Sequence, residues 1–152
     1  MNVVVEIAPD QPEEIRIRVK RADGRLDLLR ETVERALKAP GEIAVKRGEE
    51  ECFIPVDGIL FAETAGDKVW VHTASDAFQS PLRLYELASL LPRGFARAGK
   101  GCIVNTRAIS SLSRSPTGVG EARFSSGEKK VYISRMYYKI VRDVIEEERL
   151  KS

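Results

Sequence analysis

The sequence predicts an α+β fold, mainly β and antiparallel. Three observations carry this. Short runs of apolar residues alternate with polar ones at the two-residue period of a strand. Neighbouring runs are joined by turn residues, as at Ala65-Gly66-Asp67-Lys68 and Ser125-Ser126-Gly127-Glu128, which is hairpin chemistry. Three stretches keep the wider spacing of an amphipathic helix.

In order, Asn2 to Ala8 places Val3, Val5 and Ile7 on one side, and Ile15, Ile17 and Val19 alternate with Arg16, Arg18 and Lys20. With Pro9-Asp10-Gln11-Pro12 between them, these runs predict a hairpin. Ala22-Asp23-Gly24 breaks the pattern. Leu26, Leu29, Val33, Ala36 and Leu37 then predict a helix, which Pro40-Gly41 stops. Glu42 to Lys46 and Glu51 to Val56 read as two further short strands.

Past Pro55-Val56-Asp57-Gly58, Ile59 to Glu63 and Val69 to Thr73 form a hairpin around Gly66-Asp67. Ser80 as N-cap and Pro81 at the first helical position open a short helix with Leu84, Leu87, Ala88 and Leu91 inward. Phe95 to Gly101 reads as a basic loop carrying Arg97 and Lys100 between small residues. It runs into a buried strand, Cys102-Ile103-Val104, closed by Asn105. Ala108 to Leu112 is a strand, and Gly120 to Phe124 and Lys130 to Ser134 are a hairpin pair. Ser134 caps a last helix with Tyr137, Ile140, Val141, Val144 and Ile145 on its apolar side. The residues after Glu147 are expected to fray.

Composition narrows the function classes. The 152 residues suffice for one ordinary domain or two small ones. No apolar run approaches the roughly 18 residues of a membrane span. No basic stretch followed by an apolar one opens the chain, so a secretory leader is not expected. Cys52 and Cys102 have no second Cys or His nearby, which is wrong for zinc and fits a reduced, cytoplasmic protein. A disulfide between the two stays open.

Enzyme chemistry finds no support. The single histidine, His72, lies in a strand pattern without a sequence partner and reads as structural. Arg97-Ala98-Gly99-Lys100-Gly101 lacks the spacing of a phosphate-binding loop, and no serine sits in a nucleophile elbow. No catalytic residue, metal site or cofactor is expected.

Charge is more informative in its distribution than in its total of +2. Residues 93–120 contain no acid but hold Arg93, Arg97, Lys100, Arg107 and Arg114. Residues 129–142 likewise hold Lys129, Lys130, Arg135, Lys139 and Arg142 without an acid. Acids gather at Glu49-Glu50-Glu51 and Glu146-Glu147-Glu148. Such segregation suits an anion-binding face. Its plain alternative is chance clustering of surface lysines and arginines.

Four pieces in order resemble the LytTR-type DNA-binding domain. Ile54 to Glu63 looks like that family's opening strands, and Leu82-Arg83-Leu84-Tyr85-Glu86-Leu87 with Leu90-Leu91-Pro92 like its central helix. Phe95 to Asn105 is similar to its F-x-R-x-x-[RK]-S-x-x-V-N motif, and Ile133-Ser134-Arg135-Met136-Tyr137 to its closing SRxY signature. One departure is Gly101, where the motif usually carries serine.

The resemblance implies an antiparallel β domain over residues 52–147, with one packed helix and a C-terminal helix. Before it, residues 1–51 would be a small strand-strand-helix-strand domain with a dimerising or regulatory role. Residues 148–152 would be a frayed tail. It implies a short, receiver-less transcriptional regulator that reads double-stranded DNA; strand edges and a helix stripe left to cover in the first third lead us to expect a homodimer on repeated half-sites. Such members are often encoded beside a membrane protein. Carried over by motif, DNA contacts fall at Lys68, at Arg97, Gly99, Lys100 and Gly101, and at Ser134 and Arg135, with Lys139 alongside. A protein-interaction module, with its basic face on an acidic partner or anionic membrane, is the alternative.

Overall fold

A computed structural model describes residues 2–37 and 41–150. The chain divides into two compact units, residues 1–37 and 38–152.

The first unit holds one helix, α1 (Gly24–Leu37). Asp23 opens it, its carboxylate accepting the Arg25 backbone N–H at 2.9 Å. Leu26, Leu29 and Val33 form its half-buried side. The expected hairpin is not formed, and no strand occurs among the described residues 2–23. Val3, Val5 and Ile7 are exposed. Alternation makes a strand only when the backbone finds a ladder and the apolar side a core, and a lone two-stranded hairpin in water is marginal. Pro40, the expected helix stop, lies outside the described residues.

The second unit is built from two antiparallel sheets. Its strands are β1 (Glu42–Arg47), β2 (Glu50–Pro55), β3 (Phe61–Ala65), β4 (Lys68–His72), β5 (Ala77–Ser80), β6 (Phe95–Gly99), β7 (Cys102–Asn105), β8 (Ile109–Arg114), β9 (Gly120–Phe124) and β10 (Lys130–Ile133). The larger sheet runs β2-β1-β5-β4-β3-β7-β6, and the smaller β10-β9-β8. β1, which the sequence pattern made the last strand of a separate 1–51 domain, therefore pairs into the same sheet as the rest. Two helices complete the unit, α2 (Leu84–Leu90) and α3 (Tyr138–Leu150).

Two apolar clusters explain the runs that lack clean alternation. On one side of the large sheet, Val45, Ile59, Ala62, Val71 and Ile103 pack with Leu84, Leu87 and Leu91 of the α2 segment. On the other, Phe61, Ala96, Ala98 and Val104 pack with Ala122, Phe124, Val131 and Ile133 of the small sheet and Val141 of α3. Neighbours in one strand thus serve opposite clusters, as Phe61 and Ala62 or Ile103 and Val104 do. A sheet covered on both sides needs apolar residues at every position.

Three expectations change here. Phe95–Gly99 is a strand, because Ala96 and Ala98 point into the core while Arg97 between them does not. Ser80 ends β5 and is buried, and its hydroxyl accepts the Leu82 N–H at 3.0 Å. α2 starts later, where the Glu86 carboxylate accepts the Arg83 backbone N–H at 3.1 Å. Residues 148–150, the described part of the expected tail, belong to α3, which continues to Leu150, and Glu148 pairs with Arg107 at 2.7 Å.

Candidate nucleic-acid interface

Two hairpin turns and one strand end meet at a single rim. The β3–β4 turn has Gly66 at φ +67°, a left-handed conformation that glycine adopts without strain. The β6–β7 turn is Lys100-Gly101, since Gly99 pairs with Cys102. These turns are neighbours because β3 pairs with β7, and the Thr64 N–H donates to the Gly101 carbonyl at 2.8 Å. A Cβ on Gly101 would stand 3.6 Å from that of Thr64. That is ordinary van der Waals contact, so nothing in the structure explains the departure from the usual motif serine.

The third segment follows β10. The Ser134 N–H donates to the Ala98 carbonyl at 2.8 Å, and a Cβ on Gly99 would lie 3.9 Å from the Ser134 Cβ. Ser134 and Arg135 are thereby tied to the strand that carries Arg97 and Gly99. The Ser134 carbonyl also accepts the Tyr137 N–H at 2.9 Å, so the chain turns once before α3 begins at Tyr138. Lys139, on the first turn of α3, is exposed.

Geometry sorts the basic residues that composition could only count. Arg107 pairs with Glu148, Arg142 with Glu146, and Lys130 with Glu121. The Arg114 guanidinium lies 4.7 Å over the Tyr138 ring. The Arg97 guanidinium donates to the Lys100 carbonyl at 2.8 Å, so it braces the turn that presents Lys100. Lys68, Lys100, Arg135 and Lys139 are exposed and make no ion pair with another described residue. Four unneutralised cations, three of them seated on backbone that neighbouring strands hold in place, can take up phosphates or base edges.

Asn105, the last residue of the longest motif, serves the scaffold. It is buried, its amide donates to the Ile59 carbonyl at 2.8 Å, and its oxygen accepts the Arg107 N–H at 3.1 Å.

His72 and Lys129 form a separate cluster between the two sheets. His72 stacks on Phe61 with ring centroids 4.2 Å apart. Its Nε2 lies 3.0 Å from Glu63 and its Nδ1 3.2 Å from the Lys129 ammonium, which also donates to the Asp76 carbonyl at 2.7 Å. Nδ1 accepts from Lys129 and Nε2–H donates to Glu63, which is the neutral imidazole. Burial lowers the pKa of His72, the Lys129 charge lowers it further, and Glu63 opposes both.

A histidine whose pKa is depressed on folding contributes stability above its unfolded value, and that stability is lost as pH falls through the folded value. The melting temperature is therefore expected to drop between about pH 8 and about pH 5, with a smaller drop in His72→Gln. Thermal denaturation across that range checks it, and equal pH dependence in both proteins would contradict the assignment.

Cys52 and Cys102 are free thiols. Burial, aided by Glu63 and opposed by Arg97, pushes the Cys102 thiol up to about 12, so it carries no nucleophilic thiolate at neutral pH. Among the described residues no helix is long and apolar enough to cross a membrane, and no group of acids, His and Cys is placed to hold a metal.

Residues 49–146 match the LytTr DNA-binding domain family. Over 90 residues the chain is 31% identical to uncharacterized HTH-type transcriptional regulators of Staphylococcus aureus strains COL and N315. That stretch is 59% of this chain and 60% of each of those proteins, so the match spans less than two thirds of their length. The fold is similar to a solved LytTr DNA-binding domain from Bacillus cereus, at TM-score 0.64 and 19% identity, covering 70% of this chain and 98% of that one.

Proposed function

The chain belongs to the LytTr DNA-binding domain family, and from that premise we propose that it is a transcriptional regulator that binds specific sequences in duplex DNA. The observation that carries this reading is the rim on which Lys68, Lys100 and Arg135 stand without an ion pair to another described residue, joined by the Thr64–Gly101 and Ser134–Ala98 hydrogen bonds. Turns and strand ends, not a recognition helix, enter the groove. Arg135 and Lys100 read base edges, while Lys68 and Lys139 sit on phosphates. Arg97 sets the turn. Gly99 and Gly101 let the backbone approach, and Ser134 offers a hydroxyl. The protein works in the cytoplasm, where its DNA is.

The test is selection of bound duplexes from a random pool, followed by titrations at several salt concentrations. A recurrent motif supports the reading, and two spaced copies of it support repeated half-sites. Binding that ignores sequence, or retention only on acidic proteins or anionic vesicles, would refute it.

We further propose that the first unit pairs two copies, since linking two DNA modules raises affinity through effective concentration. Removing residues 1–51 would strip β1 and part of β2 from the large sheet, so residues 1–37 are the part to delete. That variant is expected to melt cooperatively, to sediment as a monomer, and to bind DNA more weakly. A full-length protein that sediments as a monomer on and off DNA would contradict the pairing.

A further inference from the structure

The β8–β9 loop carries none of the motif residues, yet it supports one of them. Gly118 lies in this loop at φ +93° and is buried although the residues on either side, Thr117 and Val119, are exposed. A Cβ on Gly118 would stand 2.7 Å from the Cδ and 2.8 Å from the Cγ of Arg135. A Cβ there would force the Arg135 stem to shift. The Arg135 methylenes therefore lie directly on the Gly118 backbone, and the guanidinium extends past it without a hydrogen bond or ion pair to any described residue.

The loop beneath is itself fixed. The Gly118 N–H donates to the Ser115 carbonyl and the Ser115 N–H to the Val119 carbonyl, both at 2.9 Å. The Arg114 guanidinium lies over the Tyr138 ring. That ring packs against Gly120, where a Cβ would come within 2.5 Å of it. Strand end, loop and first turn of α3 are thereby packed together.

We infer that Gly118 is a positioning residue: its bare backbone is the cradle that aims the Arg135 guanidinium before DNA arrives. This rests on the reading of Arg135 as a DNA-contacting residue. An arginine held by its stem loses less rotamer freedom on binding, and a guanidinium set in advance discriminates between base edges more sharply.

Two measurements test it. The first needs no DNA and no variant: side-chain 15N relaxation at Arg135 Nε in the free protein. Order well above that of an exposed, unsupported arginine is expected, and free-tumbling behaviour would overturn the cradle. This result stands even if the protein proves not to bind DNA, so the two readings fail separately.

The second measurement is a cycle of Gly118→Ala, Arg135→Ala and the double variant on the selected duplex, with melting curves recorded for each. Gly118→Ala is expected to lose about tenfold in affinity, and little further when Arg135 is already Ala. Losses that multiply independently would overturn the inference. Thr117→Ala, in the same loop but exposed, is expected to bind as the parent does. Weakened binding there would show the loop touching DNA directly and would also overturn it.

Discussion

Arg135→Ala is expected to weaken binding to the selected duplex by about 1–3 kcal/mol and to relax preference at one position of the site. Lys100→Ala is expected to fall in the same range. Both side chains are exposed and make no ion pair with another described residue, so their loss leaves no buried charge and the fold should tolerate it. Each is carried on backbone that cannot drift. Lys100 sits in a two-residue turn braced by Arg97, and Arg135 follows a residue hydrogen-bonded to Ala98. A cation at a defined place can distinguish base edges, whereas a mobile one only follows phosphate. Lys68→Ala should differ in kind: affinity falls alike on all duplexes, and the slope of log affinity against log salt flattens by roughly one unit. Titrations on specific and scrambled duplexes at several salt concentrations separate these outcomes. Unchanged affinity and slope in both Lys100→Ala and Arg135→Ala would remove the proposed interface.

Ile133→Ala is expected to destabilise the second unit by about 2–5 kcal/mol. Ile133 is wholly buried, among the side chains that join the small sheet, β6 and α3. Its removal costs the transfer free energy of the lost methylenes and leaves a cavity that strands on two sides keep from closing. The consequence extends to the rim, because Ile133 anchors the end of β10 from which Ser134 and Arg135 project. Tyr132→Ala is the control. Tyr132 is on the same strand but 60% exposed, so about 1 kcal/mol or less is expected. Chemical denaturation of both variants checks the pair. Equal costs would mean that the β10 core contacts carry no special weight.

Much of this protein is legible without coordinates. The hairpin around Gly66-Asp67, the pair flanking Ser125 to Glu128, and the helix bearing Leu84 and Leu87 follow from turn chemistry and periodicity, which are local in sequence. The Phe95–Asn105 and Ile133–Tyr137 motifs are equally local, and they point to the family that residues 49–146 match. What misled was also local. Asn2 to Ala8 has a strand's alternation and no strand, and Phe95–Gly99 has the look of a basic loop and is a strand. In both cases the deciding factor is the partner ladder, which lies elsewhere in the chain or is not supplied.

The sequence by itself determined the class of fold, the family, and the two motif stretches in which unpaired cations would be found. Only the tertiary structure decided which cations those are. Arg107, Lys130 and Arg142 meet carboxylates, Lys129 meets His72, and Arg97 turns back on its own loop. Lys100 and Arg135 do not. Pairing depends on distances of a few ångströms between residues up to 57 positions apart, and charge order along a chain does not contain those distances. The same holds for Gly118, whose only signal in sequence is a glycine in a loop. Its role arises because folding lays the stem of Arg135 across it.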